Sequence, residues 1–120
     1  MNELDAIKEH CAYRLAVTAE YPFGPEALVY KVMGKMFALI SEPDGSSITL
    51  KCDPALAEGL RAAYAAIEPG YHTNKRHWNT VTLDGSVPLA EILGMIDHSY
   101  EQVVRGLTKA QRAALLEVDK

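Results

Sequence analysis

The sequence lacks the features that mark a membrane protein, an oxidising compartment or a reaction centre. No apolar run reaches membrane-spanning length, and the opening Met-Asn-Glu-Leu-Asp carries early acids, so neither a membrane span nor a signal peptide is expected. There are only two cysteines, Cys11 and Cys52, far apart and outside any CxxC spacing, which points to reduced thiols and a cytoplasmic protein. A Gly-rich phosphate loop, a nucleophile elbow and a paired-carboxylate arrangement are all missing, so the expectation is a non-enzymatic protein without a cofactor. His72 and His77 lie five apart in an irregular stretch with no matching cysteine or carboxylate pattern, and His98 falls on the exposed face of its helix, so no metal site is expected. Repeats, low-complexity tracts and linkers are absent too. Residues 1–120 read as one domain, long enough to bury a core without metals or disulfides.

What is present is an uneven distribution of charge. The net charge of −4 argues against a strong nucleic-acid binder. Yet residues 1–26 hold two bases and five acids (−3), residues 27–83 six bases and five acids (+1), and residues 84–120 four bases and six acids (−2). Within 71–83 there are two bases and no acid. An anion-binding surface is therefore expected from the middle of the chain.

Periodicity supplies the elements. Residues 2–16 read as a helix with Leu4, Ile7, Cys11 and Leu15 on one stripe and Asn2 as N-cap. Residues 19–26 read as an irregular connection, its Tyr21-Pro22-Phe23-Gly24-Pro25 a hydrophobic plug over the sheet edge. Three strands are expected within 27–52, turning at Gly34-Lys35 and at Asp44-Gly45. Asp53-Pro54 opens a second helix whose buried stripe is Leu56, Leu60, Ala63, Tyr64 and Ile67, and Pro69-Gly70 ends it. A fourth strand covers 78–83, a strong helix covers 87–105 with Tyr100 on its buried stripe and its hydroxyl bonded locally, and Thr108 with Gln111 forms a capping box for a final helix.

Two-residue turns would place Met33 opposite Met36, Lys31 opposite Ala38, and Ala38 opposite Lys51. One sheet face would hold Leu28, Tyr30, Val32, Phe37, Leu39, Ile48, Leu50 and Cys52 and meet the helices. The other would hold Val29, Lys31, Met36, Ala38, Ile40, Thr49 and Lys51, with Trp78, Thr80 and Thr82 beside them. Lys31 and Lys51 would share a row across Ala38, their Cα atoms about 10 Å apart, close enough to hold one anion between them. Lys31, Lys35, Lys51, His72, Lys75 and Arg76 are the candidate phosphate contacts, and Trp78 the candidate stacking platform. The same lysines would equally serve to keep a half-exposed sheet soluble, and the indole to cover Val29, Met36 and Ile40.

The landmarks Pro22-Phe23-Gly24, Lys31-Val-Met-Gly34-Lys35-Met-Phe37-Ala-Leu39, Leu50-Lys51-Cys-Asp-Pro54, His72-x-x-Lys75-x-x-Trp78 and Asp97-His-Ser99-Tyr100-x-x-Val103-Val104-x-x-Leu107 occur in an order that resembles the MmcQ/YjbR family, over about residues 3–112. The resemblance implies a CyaY-like α+β fold, helices packed mainly on one face of an antiparallel sheet with hairpins. It also implies a proposed DNA-binding role through a double-wing arrangement. The fold name brings frataxin with it, but Glu3, Asp5 and Glu9, interspersed with Lys8 and Arg14, are too few acids for an iron-binding ridge. Three functional readings follow. The first is a DNA-binding module using the basic sheet face. The second is a protein-interaction module, for a peptide or a second copy, using strand edges and the Met33/Met36 surface. The third is an enzyme on a small anionic metabolite, with only the basic strip in its favour.

Overall fold

Alternating apolar residues in the middle of the chain build a sheet, and helical stripes on either side of that segment close over one of its faces. The structure, a computed structural model, describes residues 3–41, 45–70 and 73–118. In chain order the elements are α1 (Glu3–Ala12), β1 (Val17–Glu20), β2 (Ala27–Val32), β3 (Lys35–Ser41), β4 (Ser47–Lys51), α2 (Pro54–Ala63), β5 (Ile67–Pro69), β6 (Trp78–Thr82), α3 (Leu89–Arg105) and α4 (Lys109–Val118). The six strands form one antiparallel sheet in the order β1-β2-β3-β4-β6-β5. The α+β class with helices against an antiparallel sheet is as the sequence predicts.

Several local signals hold. Asp53 caps α2, its carboxylate accepting from the amides of Ala55 and Leu56, with Pro54 in the first turn. Thr108 and Gln111 form a reciprocal capping box, at 3.0 Å and 3.1 Å. Asn2 and Asp44 lie outside the described residues. Two strands were not expected. β1 begins just after the predicted helix 2–16 and runs into the predicted connection, and β5 falls where the second helix was expected to run on to Pro69. α2 stops at Ala63, so Ile67 is buried as a strand residue rather than on a helical stripe, while Leu56 is exposed. Tyr21 and Phe23 are 51% and 71% exposed, so the segment between β1 and β2 is not a plug.

Both hairpins depart from the expected register, by two residues beside the β2–β3 turn and by one beyond the bulge and across β3–β4. The β2–β3 turn is Met33-Gly34, with Val32 opposite Lys35, and both turn residues have positive φ (51° and 81°), as a type I′ turn requires. Lys31 then pairs with Met36 and Tyr30 with Ala38, leaving Phe37 as a bulge residue. Across β3–β4, Ala38 pairs with Leu50 and Ile40 with Ile48. Ala38 and Ile40 therefore face the helices, in one cluster with Tyr30, Phe37, Leu50, Val81, Ile96 and Tyr100, and Leu39 lies on the opposite face. The predicted row Lys31–Ala38–Lys51 does not exist.

The bulge is repaired by a helix. Ser99, fully buried on α3, donates its hydroxyl hydrogen to the Phe37 carbonyl at 2.5 Å and accepts from the Lys51 amide at 2.8 Å. Ser99→Ala is expected to lower stability by about 1–3 kcal/mol, because it strands a buried donor and a buried acceptor. Urea denaturation checks this against Glu101→Ala on the exposed face of the same helix, expected within about 0.5 kcal/mol of the parent.

Candidate functional site

Strand direction gathers the cations. Antiparallel neighbours reverse, so β3 begins, β4 ends and β6 begins at the same end of the sheet. That end carries Lys35, Met36, Lys51 and Trp78, with Lys75 and Arg76 on the approach to β6. Lys51 lies directly opposite Trp78, on one face with it. A cleft of ≈ 310 Å³ opens there, lined by Lys35, Met36, Lys51, Trp78, Val103 and Gly106, the last two from the end of α3. Among the described residues, no acid or acceptor pairs with the side-chain amine of Lys35 or Lys51.

The remaining predicted site residues are placed differently. The Lys31 amine is 2.6 Å from a Glu20 carboxylate oxygen on β1, which neutralises it locally. The Lys75 amine donates to the Gly70 carbonyl at 3.2 Å. Arg76 is exposed and lines a second cleft with Pro54, Ala55, Glu58 and Arg61. His72 lies outside the described residues. Met33 packs against the core while Met36 lines the first cleft, so the two methionines do not make one patch.

Arg61 escaped sequence reasoning. Its guanidinium donates to the Asn79 side-chain oxygen at 2.7 Å, to the Lys75 carbonyl, and to the Trp78 carbonyl at 3.4 Å. Asn79 is 2% exposed and donates back to the Ala57 carbonyl. The available signal was Asn79 itself: alternation with Trp78 and Thr80 points it to the core, where an amide demands partners. Gly70 completes the clamp. Its amide donates to the Trp78 carbonyl at 2.8 Å, and a Cβ on it would come within 2.7 Å of the Trp78 Cβ. Gly70→Ala is thus expected to displace the 73–78 segment, seen as a shifted and broadened emission of the single tryptophan and a lowered Tm.

The Asp97-His98-Ser99-Tyr100 run is architectural. One Asp97 oxygen accepts from His10 and Arg14 of the α1 region, each at 2.9 Å. His98 is half-buried rather than on an open face, and its Nε2 accepts from the Asp53 amide at 3.1 Å. The Tyr100 hydroxyl donates to the Leu15 carbonyl at 2.6 Å, a distant bond and not the local one expected, and Arg14 lies 4.2 Å over its ring. Burial pushes the Tyr100 hydroxyl pKa up, with Arg14 opposing.

Both thiols are held protonated. Burial pushes Cys11 up to about 12, with Asp97 adding, and Cys52 up to about 11, with Asp53 adding and Arg61 opposing. Being neutral and buried at pH 8, neither should react with a disulfide reagent until the protein unfolds. A thiol titration with and without denaturant checks this. Among the described residues, no group of three or more His, Cys, Asp or Glu is placed to hold a metal ion, and no helix is long and apolar enough to cross a membrane.

Comparison with known proteins agrees with this architecture. The family described as YjbR matches residues 15–102. The uncharacterised protein YjbR of Escherichia coli K12 is 38% identical over 94 residues, covering 78% of this chain and 80% of its own. The uncharacterised YbdF of Escherichia coli O157:H7 is 42% identical over 90 residues, 74% of each chain. A Deinococcus radiodurans protein of known crystal structure superposes with a TM-score of 0.86 at 39% identity, over 93% of this chain and 86% of its own. A Pseudomonas syringae crystal structure gives a TM-score of 0.68 at 28% identity, over 85% of this chain and 98% of its own.

Proposed function

The chain belongs to the YjbR family, and from that premise we propose that it is a non-enzymatic DNA-binding protein that holds phosphates with one end of its sheet. The observation that carries this reading is the cleft lined by Trp78 together with Lys35 and Lys51, whose amines have no partner among the described residues. Flexible cations beside an aromatic face suit a sequence-tolerant contact with a nucleic-acid strand. The MmcQ/YjbR resemblance implies a double-wing mode; on this reading the β2–β3 hairpin tipped by Met33-Gly34 would be one wing and the 73–77 segment the other, with β4 and Lys51 between them. Lys75 and Arg76 extend the surface along the second wing. Two free, buried cysteines accord with a cytoplasmic setting.

The net charge of −4 makes the affinity weak and strongly salt-dependent. In a fluorescence-anisotropy titration of labelled duplex DNA, binding is expected at low ionic strength and lost as salt rises. Lys35→Glu and Lys51→Glu should each weaken it about tenfold and reduce the salt slope by about one, whereas Lys109→Glu on α4 leaves it unchanged. No binding at low salt would overturn the reading. The interaction-module alternative rests on the exposed Tyr21 and Phe23 following the edge strand β1. Salt-insensitive self-association in sedimentation would favour it.

A further inference from the structure

The cleft is small. Its ≈ 310 Å³ stands at the lower limit of small-ligand pockets, room for about one nucleotide inside it. Its walls also differ in character. Lys35 and Lys51 supply positive charge on the strand side, and Trp78 supplies an indole. Val103 and Gly106 bring in the C-terminal end of α3 as an uncharged wall. A phosphate is drawn to the amines on the other side.

Resting on the nucleic-acid reading above, we infer that the cleft takes a single unpaired nucleotide of a DNA strand, its phosphate between Lys35 and Lys51 and its base against the Trp78 indole, in the space bounded by Val103 and Gly106. Bases in a duplex are already stacked and cannot enter. The site therefore prefers single-stranded or frayed DNA, and the preference comes from stacking rather than from extra charge.

Gly106 allows this to be tested without altering a charge. Its φ of −84° is ordinary for any residue, and a Cβ there would be 3.5 Å from the nearest atom, the Val103 carbonyl oxygen. Gly106→Leu thus fills the cleft while the helix end stays intact; Gly106→Ala leaves room and serves as the control, and Gly106→Val is a smaller filling step should leucine disturb folding. Trp78 is the only tryptophan, so its emission reports directly on the site. The probes are thymidine 5′-monophosphate, a short oligothymidylate, the same oligomer annealed to its complement, and inorganic phosphate.

The expected result is quenching by the oligothymidylate and, more weakly, by the mononucleotide, with the annealed oligomer binding without quenching. Gly106→Leu should weaken single-strand binding about tenfold and leave duplex binding unchanged. Equal affinity of Gly106→Leu and parent for the single strand would overturn the cleft assignment while leaving the backbone reading in place. So would phosphate competing as well as the mononucleotide. If neither DNA form binds at low salt, the DNA reading falls and the strand-nucleotide assignment falls with it.

Discussion

The Ser99 hydroxyl stands in for a rung of the sheet. Continuing the β3–β4 register would set Lys51 opposite Phe37, but Phe37 is the bulge residue, and its carbonyl and the Lys51 amide meet through the serine oxygen instead. A buried carbonyl or amide left unmatched at this point would cost about 1–3 kcal/mol each, so the bulge and the helix require one another. Fixing Ser99 between two strands fixes α3 along the sheet. Successive helical residues turn by about 100°, so the neighbours of Ser99 aim in different directions. Asp97 reaches His10 and Arg14, His98 the start of α2, and Tyr100 the α1–β1 connection. Four consecutive side chains join α3 to every layer around it. The bonds of this run hold the fold together.

The same bulge explains why the site was only half legible in the sequence. Alternation identified the right segments, the right capping residues at Asp53 and Thr108, and the right side of the sheet for Lys31, Lys51 and Trp78. It failed on register, because Met33 adopts a left-handed conformation that side chains rarely take, which moves the turn one residue earlier than Gly34-Lys35. That move, followed by the extra residue at Phe37, turned Ala38 and Ile40 inward and Leu39 outward. β1 and β5 were missed for another reason. Val-Thr-Ala-Glu on an edge and a three-residue strand ending in Pro69 are too short to show a period, and their pairing with β2 and β6 is a tertiary fact. Arg61 was missed because its role depends on a partner 18 residues away.

Electrostatic availability, rather than the number of cations, defines the surface. Lys31 was one of the two central expectations, yet the edge strand supplies Glu20 to pair with it, and its charge no longer acts outward alone. The ladder partners of Lys51 offer no such carboxylate: across from it lies an indole, and the next residue on its face is Thr49, bonded to Thr80 at 2.9 Å. A chain of net charge −4 can thus present a local cationic end, because repulsion of an anion by distant acids is screened over roughly 10 Å at 0.1 M salt, while nearby amines are not. Net charge then controls how strongly an anion binds, and the register of β3, β4 and β6 controls where.

The two sides of the cleft differ in rigidity, and that difference bears on selectivity. The Trp78 backbone is held from several directions: its carbonyl accepts from the Gly70 amide and from Arg61, and it pairs across to Lys51 in the ladder. Arg61 is itself anchored on Asn79, so the indole starts from a clamped segment. The lysine amines end long stems without described partners and adapt to whatever phosphate position is offered. A fixed plane with mobile charges loses little entropy on the aromatic side and imposes no hydrogen-bond pattern on the charged side. On the proposed reading, such a site would distinguish stacked from unstacked bases better than one base from another, and phosphate contacts from Lys75 and Arg76 would add affinity without sequence information.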